Sequence, residues 1–78
     1  MRTKESIIRY LGKVVRANRN QIAEALKAKP QVITVRLVEL RRTGMVKYIK
    51  WADGSRVWIL TKQGGERFDY YRRERGEN

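Results

Sequence analysis

NQIAEALKAKPQVITVRLVELRRTGMVKYIKWADGSRVWIL, residues 20–60, decides the fold. It reads as two amphipathic helices joined by a tight turn containing Pro30, then a glycine stop at Gly44, then two short strands closed by Asp53-Gly54-Ser55. Pro30 suits the first turn of a helix, where a missing N–H costs nothing, and it forbids one helix from running straight through Lys29. The two helices are therefore separate. In the second of them Ile33, Leu37 and Leu40 recur at i, i+4 and i+7 and mark the buried stripe, and Gly44 supplies a left-handed stop after Thr43. Residues 45–51 and 56–61 are β-rich runs, and the Asp-Gly pair between them favours a hairpin. Val46 and Tyr48 alternate with Lys47, Ile49 and Trp51, while Trp58 and Leu60 alternate with Val57 and Ile59. Both faces of the hairpin thus carry apolar groups, and only one can belong to the core.

Working outward, Asn18-Arg19-Asn20-Gln21 has the spacing of a capping box, in which Asn18 accepts from a free helical N–H and Gln21 reaches back. The helix it opens runs to about Lys27 and buries Ile22, Ala23 and Leu26, with Glu24 facing out. Upstream, Thr3 is placed to cap a first helix whose apolar positions are Ile7, Ile8 and Leu11, and Gly12 ends or bends it. Val14 and Val15 follow as a short β-branched pair able to add a small third strand to the hairpin. Downstream, Thr61 caps a last helix over about 62–75, and residues 76–78 are expected to fray. Phe68 and Tyr71, three apart, make with Tyr70 an aromatic stripe on an otherwise charged helix. Packing against Ile7 and Tyr10 of the first helix covers those rings within one chain, and pairing of terminal helices covers them across a homodimer. The dimer is the favoured expectation, because so small a core gains from oligomerisation.

Composition bounds the function. The 78 residues point to one domain, 1–78, with one modest core and no second site. There is no Cys and no His, which removes disulfides, thiolate metal sites, the commonest metal ligand and the commonest general base. An enzyme is not expected, nor a cofactor, nor a metal. The longest apolar run, residues 57–60, is far short of the roughly 20 residues a membrane span needs, and nothing at residues 1–6 resembles a signal peptide. The expectation is a soluble, cytoplasmic protein without a membrane partner.

The formal net charge is +11, and its placement says more than its size. Residues 1–26 hold six Lys or Arg against two acids, residues 27–61 eight against two, and residues 62–78 five against four. The excess peaks over the second helix of the pair and the hairpin, where a basic surface concentrates polyanions. On a helical wheel the face opposite Ile33, Leu37 and Leu40 holds Gln31, Val35, Val38, Glu39 and Arg42, flanked by Val32 and Arg36. Gln31 and Arg36 are suited to hydrogen-bond base edges, and Val32 or Val35 to touch a thymine methyl. The bland alternative makes the valines tolerated surface residues. Lys50 and Arg56 flank the hairpin tip beside Trp51, suited to phosphates or a minor groove; for Trp51 itself, packing on the exposed hairpin face is preferred over base stacking.

Leu26-Lys27-Ala28-Lys29-Pro30-Gln31-Val32-Ile33-Thr34, then Leu37, Leu40, Gly44-Met45-Val46, Asp53-Gly54, and Leu60-Thr61 with Gly64 or Gly65, resemble in order and spacing the winged helix-turn-helix family of small bacterial and archaeal repressors. The resemblance spans residues 3–75. It implies an α+β, mostly helical fold: a three-helix core with the helix-turn-helix at about 18–43, a two-stranded or three-stranded β-wing at about 45–61, and a C-terminal helix. It also implies double-stranded DNA as partner, with the third helix in the major groove and a homodimer through the terminal helices, here Phe68, Tyr70 and Tyr71. Carried onto this chain, base contacts fall on Gln31, Val32, Val35 and Arg36, and backbone contacts on Lys27, Lys29, Arg42, Lys50 and Arg56. Lys29 and Val32 stand where the family often has small hydroxyl residues, which weakens the cap and removes one polar contact. The expected function is a sequence-specific transcriptional regulator. The alternatives are a sequence-tolerant, chromatin-like architectural protein and a protein-binding winged helix within a larger complex.

Overall fold

A computed structural model describes residues 3–74. The elements follow in the order α1 (Thr3–Val14), β1 (Arg16–Ala17), α2 (Arg19–Leu26), α3 (Pro30–Arg42), β2 (Val46–Lys50), β3 (Arg56–Leu60) and α4 (Lys62–Glu74). The three strands form one antiparallel sheet in the order β1-β3-β2. This is a mostly helical α+β architecture: three helices around the core, a hairpin wing, and a terminal helix.

The core takes one stripe from each of the first three helices and single residues from the strands. Ile7, Ile8 and Leu11 of α1 meet Ile22 and Ala23 of α2, Ile33, Leu37 and Leu40 of α3, Val46 of β2 and Trp58 of β3, all buried. Each fully buried aliphatic chain stabilises the fold by about 1.5–3 kcal/mol. Ile33, Leu37 and Leu40 are the stripe their spacing predicts. Leu26 of α2 is only partly buried at the margin of this cluster.

Helix boundaries follow local chemistry. The capping box of α2 forms as its spacing predicts: the Gln21 amide donates to Asn18 Oδ1 at 2.8 Å, and the Asn18 amide donates to Gln21 Oε1 at 2.9 Å. Lys27 ends the helix in a left-handed conformation, φ 53. Pro30 occupies the first turn of α3, whose cap residue Lys29 makes no side-chain capping bond. Gly44 turns the chain at φ +81, and the Met45 amide returns to the Leu40 carbonyl at 2.9 Å.

Three expectations at the N-terminal end need correction. Thr3 already lies in α1 instead of preceding it as a cap. Gly12 does not end the helix, which continues to Val14; the Phe68 ring of α4 lies so close that a Cβ at Gly12 would overlap it. The glycine is there for helix contact. The third strand exists, but at Arg16–Ala17 and not at Val14 and Val15. Val14 closes α1, and Val15 adopts φ +75 with its amide on the Leu11 carbonyl at 2.9 Å, a helix-terminating geometry that no strand can use.

In the wing Val46, Tyr48 and Lys50 pair with Leu60, Trp58 and Arg56, and β1 joins only the root of β3, Arg16 with Ile59 and Ala17 with Trp58. The tip is closed by Asp53, whose carboxylate accepts from the Ser55 amide at 2.9 Å and the Ser55 hydroxyl at 2.7 Å. The Ser55 hydroxyl bond, with the amide bond behind it, holds the Asp53 carboxyl below its ordinary value.

Thr61 does cap α4, accepting from the Gly64 amide at 3.1 Å. Its hydroxyl donates in turn to the Gly44 carbonyl, so the end of α3 and the start of α4 share one side chain. Phe68 and Tyr71 pack against the core of their own chain, whereas Tyr70 is 53% exposed. The cover that the aromatic stripe requires is thus largely supplied within one chain, by α1. Residues 75–78, including those expected to fray, lie outside the described residues. No helix among the described residues is long and apolar enough to cross a membrane.

Candidate nucleic-acid interface

With Ile33, Leu37 and Leu40 turned inward, the helical repeat of about 100° per residue turns Gln31, Val35, Val38 and Arg42 outward. All four are exposed, Val35 to 54% and Val38 to 38%. The two flanks of this face differ in charge state, and the difference organises the surface.

On the first flank Arg36 donates to Glu39 Oε1 at 2.6 Å, and Lys4 of α1 lies 3.9 Å from the other carboxylate oxygen. The Arg36 hydrogen bond, reinforced by the charges of Lys4, Arg36 and Arg42 against some burial, holds the Glu39 carboxyl below its ordinary value. Arg36 therefore spends its charge inside the chain, on the side turned towards α1. Val32 sits beside it, 41% exposed.

On the second flank Thr34 and Arg41 face α2 and the wing. Arg19, the first residue of α2, donates to Thr34 Oγ1 at 3.3 Å, and Thr34 donates to the Pro30 carbonyl at 2.9 Å. The guanidinium of Arg41 lies 4.9 Å from the centre of the Tyr48 ring, and that of Arg56 4.8 Å from the same centre. Among the described residues neither Arg19, Arg41 nor Arg56 has a carboxylate partner. Between α2, α3 and the wing tip opens a cleft of about 380 Å³, rimmed by Asn18, Arg19, Thr34, Ser55 and Arg56 over Leu37 and Trp58.

Of the residues singled out for base contact, Gln31 lies on the outward face and shares a hollow with Arg19, Lys29 and Thr34. Val35 is beside it on that face, and Val32 and Arg36 fall on the α1 side. Of those singled out for backbone contact, Lys50 and Arg56 stand opposite each other across the wing, and Arg56 faces Arg19 across the cleft. Lys29 is the exposed cap of α3, Lys27 the exposed end of α2, and Arg42 the exposed end of α3. The structure adds Arg19, Thr34, Arg41 and Tyr48 to the residues the sequence points to. Arg19 was hidden inside a capping box that accounts for its neighbours. Arg41 carried a signal: the wheel puts it about 100° from Arg42, towards whichever element covers that flank. The sequence does not say that this element is the wing. Among the described residues no group of acids, His or Cys could hold a metal ion.

No protein-family model and no curated protein matches the sequence. Solved structures do match in shape. A mutant of Lactococcus lactis ZitR in apo form superposes with a TM-score of 0.86 at 22% identity, over 95% of this chain and 57% of that one. MepR, a transcription regulator of the Staphylococcus aureus multidrug efflux pump MepA, gives 0.86 at 18%, over 95% and 56%. Streptococcus pneumoniae FabT in complex with DNA gives 0.86 at 21%, over 94% and 52%. The chain spans a little over half the length of these structures, and its fold is the winged helix.

Proposed function

We propose that the chain binds double-stranded DNA as a transcription regulator, with α3 in the major groove and the wing on the backbone or the minor groove. The observation that carries this reading is the gathering of Arg19, Arg41 and Arg56, from three elements and without carboxylate partners, on the wing side of α3. A fold that needed these charges only for solubility has no reason to collect them beside an outward helix face. The similarity to FabT in complex with DNA and to MepR, a transcription regulator, supports the same reading.

On this proposal Gln31, Val32, Val35 and Arg36 meet base edges, and Lys27, Lys29, Arg42, Lys50 and Arg56 meet phosphates, joined now by Arg19 and Arg41. Arg36 must leave Glu39 to read a base. The pair is open to water, 41% and 37% exposed, and such surface pairs are weak and screened by salt. The exposed valines of α3 favour a second reading, in which binding is tolerant of sequence: with Arg36 engaged, Gln31 is the one polar side chain of the base-reading set free to discriminate.

Titration of the protein into labelled duplex at several salt concentrations tests the reading. Affinity should fall steeply with salt as counterions return to the phosphates, and absence of binding at low salt would leave the protein-binding alternative. Competition then separates regulator from architectural protein: a site bound about a thousandfold tighter than random duplex is the range specific binders reach. Arg36→Ala should relax specificity at one position and cost about 1–3 kcal/mol on the best site, whereas Arg56→Ala should weaken all duplexes alike and flatten the salt slope. Self-association is part of the proposal, and it falls on Tyr70, the exposed member of the aromatic stripe.

A further inference from the structure

Arg41 stands in the last turn of α3 and Arg56 opens β3, yet both guanidinium groups lie against one aromatic ring, at 4.9 and 4.8 Å from the centre of Tyr48. The ring is itself fixed. Buried Trp58 meets it edge-on at 5.2 Å and 61°, and Tyr48 packs on the margin of the core. Two like charges gathered in this way repel, and among the described residues no carboxylate neutralises either of them, in contrast to Arg36 on Glu39. The ring holds both by cation–π attraction, and an anionic oxygen can still approach the exposed edges of the guanidiniums, which carry more donors than a ring can use.

We propose that Tyr48 is a positioning residue that holds Arg41 and Arg56 as one preformed clamp for the phosphodiester backbone, one arm from the groove-facing helix and the other from the wing. The inference rests on the DNA-binding reading above. Its physical content is preorganisation: the two long side chains are ordered before the duplex arrives, so binding loses less freedom. DNA presents a charge on each strand every 3.4 Å or so of axis, so two cations held on one ring meet phosphates of the same stretch of backbone.

The experiment measures duplex affinity by fluorescence anisotropy for the wild type, Tyr48→Phe and Tyr48→Leu, each also with Arg41→Gln and Arg56→Gln together. Tyr48→Phe keeps the ring and should bind within about twofold of wild type, because the phenol hydroxyl takes no part in the cation–π contact. Tyr48→Leu should weaken binding by about five- to thirtyfold, the combined worth of two exposed cation–π contacts, and should cost nothing further once both arginines are gone. An equal loss in that background, as a purely structural role would produce, overturns the clamp, as does wild-type affinity in Tyr48→Leu. A second measurement leaves the ring in place: Arg41→Gln and Arg56→Gln should each flatten the salt slope by about one phosphate, and their combined loss should depart from the sum of the single losses. Strict additivity refutes a clamp that acts as a unit. These outcomes all presuppose a wild type that binds duplex; a wild type that does not removes the DNA-binding reading itself, and the clamp with it.

Discussion

Val15 shows how much one residue can set against its own preferences. It is β-branched, 70% exposed and held at φ +75, the region that favours glycine. Helices commonly end on such a residue, and it is usually Gly because a Cβ is crowded there. The strain is of order 1–3 kcal/mol, partly offset by the greater freedom glycine has in the unfolded chain. Val15→Gly should therefore raise stability by about 1 kcal/mol, or about 4–8 °C in Tm for a domain of this size, and a thermal melt followed by circular dichroism checks it. An unchanged or lower Tm would mean that the valine contacts something that outweighs its backbone. At the same scale Arg36 and Arg41, five residues apart on one helix, have opposite standing: one is neutralised by Glu39 and the other is stacked on Tyr48.

Elements whose causes are local were legible in the sequence. Asn18 and Gln21 are three residues apart, Pro30 acts on its own turn, and Ile33, Leu37 and Leu40 declare a buried face by spacing alone; each element lies where those signals put it. What was not legible depends on partners far along the chain. Gly12 is read locally as a stop, and only the Phe68 ring, arriving from the last helix, explains why it sits inside α1. The β-branched pair at Val14 and Val15 suggests a strand, but the terminating turn of α1 uses those residues first. The outward face of α3 was readable, while the element covering each flank was not, and Arg41 depends on that element. Neighbouring glycines of α4 test the same distinction. A Cβ at Gly64 would run into the backbone carbonyl of Met45, whereas one at Gly65 meets open space. Gly64→Ala should abolish cooperative folding or lower stability by more than about 2 kcal/mol, since overpacking against backbone cannot relax. Gly65→Ala should raise it by up to about 1 kcal/mol through helix propensity. Denaturant titration of both variants measures the contrast.

At the scale of the whole molecule the aromatic stripe divides its labour. Phe68 is wedged against α1 and Tyr71 against the core, so Phe68→Glu should unfold the chain, while Tyr70→Glu, at an exposed ring, should leave the melting curve intact and lower any self-association seen by sedimentation equilibrium. A Tyr70→Glu protein with unaltered mass distribution would place self-association elsewhere. The sheet, for its part, changes width along its length. At its root β3 runs between two partners, and beyond Trp58 it has only one among the described residues. Two-stranded ribbons are marginal on their own and wider sheets are not, so the hairpin has the mechanics of a cantilever, clamped where it meets the body and compliant at its free end. Amide exchange should accordingly be faster at Val57 and Arg56 than at Ile59. A tip of this kind can follow a groove of varying width without disturbing the helix packed beneath its root.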